Sequence, residues 1–193
     1  MHREFAVGRI RRVRAILIGG TSHAGKTTQA NAIAEKLGWR VLSTDYIARH
    51  PGRPWRTDGT AVPAHVFEHF TNLTVDELLA DVLRHYQRVW DMAIAEITGA
   101  DGLVVEGSAV MPQLAAPLLS EEVRGYWLTL DHELVRDRIA SVGATEGDRH
   151  AIDKFVQRAI AFNDYIDEEA GRLNLTVLNA NQPTAALAER ILR

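Results

Sequence analysis

The residues with the clearest chemical content form one unbroken run, Gly20-Thr21-Ser22-His23-Ala24-Gly25-Lys26-Thr27, which satisfies the pattern G-x-x-x-x-G-K-[ST]. Each position has a physical task if the target is a chain of phosphates. Glycines let the backbone curl until consecutive amide hydrogens point inward, and a helix starting near Lys26 adds the positive end of its dipole. Lys26 supplies a mobile ammonium for the β- and γ-phosphates, the Thr27 hydroxyl is the expected Mg2+ ligand, and Thr28 can touch the α-phosphate. The plain alternative is a strand-to-helix turn that happens to contain two glycines and a lysine, so the flanking elements decide.

Those elements are in place. An apolar run at 13–18 precedes the motif, and 26–37 follows it as a helix ended by Gly38. Further short apolar runs at 40–43, 103–105, 125–130 and 175–178 alternate with stretches of helical period, the pattern of parallel strands buried on both faces and joined by helical crossovers. Thr74 with Glu77 three residues on predicts a capping box, opening a helix to Thr98 with Leu78, Leu79, Val82, Leu83, Tyr86, Val89, Trp90, Ala93, Ile94 and Ile97 on its buried face. Two more helices are predicted at 132–140 and 151–170, the second ended by Gly171, and Pro183 is predicted at the first position of a last helix to Leu192. Between those two, 141–150 is polar and contains two glycines, either a lid hinge or a surface loop. No repeat or dividing linker interrupts the chain, so 1–193 reads as a single α/β domain: a five-stranded parallel sheet between two helical layers.

With 193 residues, 46% of them hydrophobic, the chain can bury a real core, which excludes a disordered or fibrous class. It has no cysteine, which excludes disulfides, thiolate metal sites and cysteine nucleophiles and permits a reducing compartment; cytoplasm is the expected location. No apolar stretch approaches the roughly 20 residues needed to cross a bilayer, and the arginine-rich start does not read as a secretory signal. Residues 1–60 carry 11 Lys and Arg against 4 Asp and Glu, and the remainder 11 against 21. The basic first third suits a polyanion as small as a nucleoside triphosphate, whereas the acidic remainder would repel an extended nucleic-acid backbone.

On the run 20–27, and on Ser43-Thr44-Asp45, Val104-Val105-Glu106-Gly107, the stretch 131–139 and Asn179-Ala180-Asn181 after successive strands, the chain resembles the small-molecule and nucleoside-monophosphate kinase branch of P-loop proteins. That branch includes shikimate-kinase-like, adenylate-kinase-like and chloramphenicol-phosphotransferase-like enzymes. The resemblance spans nearly the whole chain and implies a three-layer P-loop NTPase fold with a helical lid at 141–150, binding ATP and Mg2+. It implies that Asp45 orients or deprotonates an acceptor, that Arg138 stacks on adenine, and that Arg149 and Arg158 send cations to the phosphates. It also lays the segment around Asn181 against the adenine edge. Glu106, where an aspartate is commoner, is left with two readings: an outer-sphere Mg2+ partner or an acceptor for a substrate hydroxyl. The plain alternatives are a helix N-cap for Asp45, exposed helix charges for the arginines, and a capping turn before Pro183 for Asn181.

Acceptor choice is expected from 46–73, where His50-Pro51-Gly52-Arg53-Pro54-Trp55-Arg56 combines stiff prolines with arginines and an aromatic ring. Arg53 and Arg56 suggest an anionic or sugar-like acceptor; the plain alternative is a rigid surface loop with Trp55 tucked into the core. His65 and His69 are four apart but lack the Glu of H-E-x-x-H and read as structural, and Ser108 is not in a G-x-S-x-G elbow. The expected activity is therefore ATP-dependent, Mg2+-assisted phosphoryl transfer to a hydroxyl or phosphate of a small molecule, by a monomer or homodimer without nucleic acid or membrane as partner. A nucleotide-dependent switch is the alternative. A guanine-reading N-K-x-D is missing after the fourth strand, and an ATPase machine would want an Asp-Glu pair where Val105-Glu106 stands.

Overall fold

A computed structural model of the chain describes residues 12–48, 50–56, 60–142 and 147–193. Its centre is a sheet of five strands, β1 Ala15–Gly20, β2 Arg40–Ser43, β3 Leu103–Glu106, β4 Val123–Thr129 and β5 Val177–Asn179, in the order β2-β3-β1-β4-β5. Every pairing is parallel. The crossovers run through α1 Lys26–Leu37, the short α2 Thr44–Ile47, α3 Ala64–Asn72, α4 Val75–Thr98, the short α5 Pro112–Ala115, α6 His132–Ser141 and α7 Arg149–Arg172, and α8 Thr184–Leu192 follows the last strand. The α/β, three-layer architecture expected from the sequence is the one formed.

Alternation along the central strand explains the two helical layers. Ile16 and Ile18 of β1 point to one face and join Ile33 of α1, Ile139 of α6 and Leu187 and Ile191 of α8. Ala15 and Leu17 point to the other and join Trp90, Ala93 and Ile97 of α4 with Phe162 and Ile166 of α7. All six residues of β1 are buried, as a strand covered on both sides must be. The capping box at Thr74 and Glu77 forms in full, Glu77 Oε2 accepting from the Thr74 amide at 2.8 Å. Such a cap contributes about 1 kcal/mol to the helix it starts.

Several boundaries differ from the sequence reading: β4 is Val123–Thr129 against the expected 125–130, β5 is Val177–Asn179 against 175–178, and α7 starts at Arg149 against 151. Ile94, expected on the buried face of α4, is 37% exposed. The first strand begins at Ala15 rather than residue 13, because the Arg14 and Ala15 amides donate to the Glu122 carbonyl just ahead of the β1–β4 ladder. Gly171 does not end the long helix, which runs to Arg172, where Arg172 bonds back to Glu169 within the last turn. Pro183 is the N-cap of α8 and not its first position; its φ of -55 suits either place, but its ψ of 140 is extended. Among the described residues no helix is long and apolar enough to cross a membrane.

Strand register sets the site. Ile18 lies opposite Glu106, and Glu106 opposite Ser43, so the three chain segments leaving β1, β2 and β3 emerge side by side at the carboxyl ends of the strands. In open α/β sheets that edge is where ligands collect, beside the strands at which the order reverses.

Candidate active site

The run 20–27 forms the loop from β1 into α1. Gly25 is the N-cap of α1 with φ 87, a left-handed conformation that a side chain would strain, and it brings no capping side chain to compete for the first-turn amides. Those donors remain available at the loop mouth. Lys26 is buried and folds back, its Nζ donating to the Thr21 carbonyl at 2.7 Å. The Thr21 hydroxyl in turn donates to the Ala159 carbonyl at 2.7 Å, tying the loop to α7.

Thr27 Oγ1 donates to Glu106 Oε2 at 3.1 Å, joining residues 79 apart in sequence. Glu106 is 1% exposed, and its second oxygen, Oε1, has no hydrogen-bond partner among the described residues. A buried carboxylate oxygen left over beside a threonine hydroxyl is a donor pair that suits a hard, oxygen-seeking cation, so these residues fit Mg2+. Asp45 occupies the second position of α2, whose N-cap is Ser43, so it does not cap that helix. Its Oδ1 instead accepts from the Ser108 amide at 3.2 Å, across the β3 end. That approach depends on Gly107, at φ 136: a Cβ there would run into the Thr44 hydroxyl and lie 3.1 Å from Asp45 Oδ1.

A cleft of about 980 Å3 opens from this loop towards the strip 50–56 and α3. Ser22, His23, Gly25, Lys26, Thr27 and Thr28 line its loop wall, and Asp45, Arg53, Arg56 and Arg158 line the remainder. His23 is held neutral at ordinary pH: burial first, then the Arg53 and Lys26 charges, lower its pKa to about 4. Trp55 is both things the sequence allowed, buried at 2% exposure and part of the cleft wall. Its ring packs edge-on against Phe155 at 4.8 Å, and the Arg53 guanidinium lies 5.8 Å over it.

Arg158 is the principal charge of the far wall. It is 5% exposed, and its guanidinium carbon sits 4.7 Å from the ring of Phe155 and 5.1 Å from that of Phe70. Burial pushes its proton affinity down, with Tyr86 and Asp81 acting the other way; a guanidinium stays charged regardless. Arg158 Nη1 and Trp55 Nε1 are both buried donors with no acceptor among the described residues. Both residues pack on Phe155, and both line the cleft.

The other expected residues lie elsewhere. Arg138 bridges two loops, donating from Nη1 to the His23 carbonyl at 3.3 Å and from Nη2 to the Ala180 carbonyl at 2.8 Å. The Asn181 amide donates to Asn179 Oδ1 at 2.8 Å, the capping-type turn that the sequence allowed. Arg149 opens α7, exposed and apart from the cleft lining. The stretch 143–146 of the expected lid lies outside the described residues; of its remainder, Ser141 ends α6, Gly147 forms an antiparallel bridge with Trp55, and the Asp148 side chain caps α7 by accepting from the Ala151 amide at 2.9 Å. Tyr86, read only as helix core, lines the cleft with its hydroxyl pKa raised by burial. Its position on the apolar stripe of α4 hid it, since a tyrosine there is indistinguishable from a packing residue.

No protein-family model and no curated protein matches this chain. Among solved structures the chain is similar to a gluconokinase from Sinorhizobium meliloti, at 17% identity over 94% of this chain and 90% of that one, with a TM-score of 0.53. It is similar to a shikimate kinase from Acinetobacter baumannii in complex with shikimate, at 18% identity, 93% and 91% coverage and a TM-score of 0.54. It is likewise similar to a deoxyadenosine kinase from M. mycoides with bound dATP, at 10% identity, 92% and 97% coverage and a TM-score of 0.53. At such identities the likeness is one of fold: the chain has the P-loop kinase-like fold.

Proposed function

We propose that this protein is an ATP-dependent kinase that passes the terminal phosphoryl group to a hydroxyl of a small anionic molecule. The observation that carries this reading is a single cleft with the loop 20–28 on one wall and Asp45 and Arg158 on the other. The fold shared with kinases of small molecules agrees with it.

In this reading the loop amides and Lys26 grip the triphosphate, and Thr27 with Glu106 holds Mg2+. The cation supplies neutralisation of phosphate charge when bound. Arg138 and the segment around Asn181 flank the base. Asp45, fixed by the Ser108 amide, holds the acceptor hydroxyl and takes its proton as the acceptor oxygen bonds to the γ-phosphorus and the bond to the bridging β–γ oxygen breaks. Little else is asked of the protein beyond alignment and charge. The resemblance sends Arg158 towards the phosphates; its seat against the rings of Phe70 and Phe155, with Nη1 unmet, favours a carboxylate or phosphate of the acceptor, with Arg53 and Arg56 also lining the cleft. By the same resemblance Arg149, at the start of α7, is assigned to the phosphates. All of this fits within one domain over 1–193.

The test is a panel of hydroxyl-bearing carboxylates and phosphorylated small molecules incubated with ATP and Mg2+, read by ADP release and by the mass of the product. One class should gain a phosphoryl group, and Asp45→Asn should lower its kcat by about 10^2- to 10^4-fold. Acceptor-independent ATP hydrolysis that is indifferent to Asp45→Asn would replace the kinase with a nucleotide-dependent switch.

A further inference from the structure

Beyond the loop, a second group of side chains converges at the outer edge of the acceptor side, from three separate parts of the chain. His50 begins the strip 50–56, His69 lies in the last turn of α3, and Asp81 lies in the second turn of α4. Asp81 Oδ2 is 2.6 Å from His50 Nε2 and 3.9 Å from His69 Nε2, and the three ligand atoms lie within 4.8 Å of one another. The phosphoryl transfer proposed above uses none of the three.

We propose that His50, His69 and Asp81 bind one divalent transition-metal ion of the zinc class, which fastens the strip 50–56 to α3 and α4. Two imidazole nitrogens and one carboxylate oxygen are the donor set of a three-ligand zinc site, with water in the fourth position; Mg2+ prefers oxygen donors alone. Bonds of about 2.0 to 2.1 Å in a tetrahedral sphere place ligand atoms roughly 3.3 Å apart. The present separations bracket that value. The His50–Asp81 contact opens and His69 closes in, each by an ångström or so, within the reach of side-chain torsions and without moving a helix.

The surroundings already orient the ligands. Asp81 Oδ1 accepts from Arg84 Nη2 at 2.9 Å, which leaves Oδ2 for the metal. The His85 ring stacks on that of His50 at 5.0 Å, and its own Nε2 is 3.3 Å from the Ala48 carbonyl, which fixes the plane of the pair. On binding, the metal takes the place of the hydrogen bond between His50 Nε2 and Asp81 Oδ2. Without metal, that hydrogen bond fastens the strip 50–56 to α4.

The experiment uses the full chain, stripped with chelator and kept free of nucleotide, so that its outcome does not depend on the kinase reading. Titration with Co2+ should give the intense visible d–d bands of a four-coordinate site at one equivalent, abolished by one equivalent of Zn2+, with a rise in Tm. His69→Ala and Asp81→Asn should each weaken metal binding by at least about 100-fold. His132→Ala should leave it unchanged, since His132 is also paired with an aspartate, Asp164 at 2.7 Å, but has no third ligand in the described cluster. His69→Gln, closer in size, and circular dichroism of every variant separate ligand loss from misfolding. Weak octahedral-type Co2+ absorption in the unmodified protein, one-equivalent binding that survives both ligand variants, or binding lost in His132→Ala would overturn the proposal.

Discussion

The two walls of the cleft are made of different material. On the loop wall the groups offered to a ligand are mostly backbone: first-turn amides of α1, a glycine N-cap at φ 87, and one lysine folded onto a carbonyl. On the far wall they are side chains set among rings, with Arg158 over Phe70 and Phe155, and Trp55 against Phe155. A backbone cradle recognises a shape common to all nucleoside triphosphates, and a wall of side chains recognises one acceptor. The first resists change of ligand, and the second can be rewritten by substitution without disturbing the sheet.

That contrast can be broken at its strongest point first. Lys26→Ala should lower kcat by about 10^3-fold or more, because its ammonium offsets charge that the amides alone do not, while the fold, measured by Tm and circular dichroism, persists. If the variant turned over normally, the loop wall would not be the donor site. Arg158→Leu should act on the other wall alone. We expect KM for the acceptor to rise about 30- to 100-fold, in line with removing a buried charge-assisted contact, with the nucleotide Kd from calorimetry nearly unchanged. An equal loss in nucleotide affinity would return Arg158 to the phosphates.

The smallest expected effect concerns stability. His23 has a folded-state pKa near 4, below its ordinary 6.5, so the unfolded chain binds more protons between those values. Its contribution is fully present above pH 6.5 and is lost as pH falls towards 4. His23→Asn, a residue that tolerates the φ of 61 at this position, should flatten the fall of Tm across that window and leave Tm at pH 8 little altered. An unchanged slope would show that burial and the Arg53 and Lys26 charges do not act on His23 as described.

How much of this the sequence disclosed follows the same division. The loop wall is contiguous, so its chemistry is written in eight consecutive residues, and α1 has the predicted bounds Lys26–Leu37. The sheet was legible because parallel strands buried on both faces announce themselves as unbroken apolar runs. The meeting of Thr27 with Glu106 was foreseeable only as an expectation for metal, since register and not sequence distance brings them together. The far wall is assembled from stretches distant in sequence, and Tyr86 carries no local pattern that sets it apart from core residues, nor does Asp81 beyond the cleft. His69 was paired in sequence with His65 on the same helix, whereas tertiary packing pairs it with Asp81 of the next. Helix periodicity reports which face is buried and not what that face meets.

The antiparallel bridge between Trp55 and Gly147 has a mechanical side. It stitches the acceptor strip to the residue just ahead of α7, the helix that carries both Arg149 and Arg158. Gly147 is packed so closely that an added Cβ would stand 2.7 Å from the Pro54 carbonyl and 3.2 Å from Trp55 Cα. A displacement of the tryptophan would therefore be resisted by the backbone just ahead of α7.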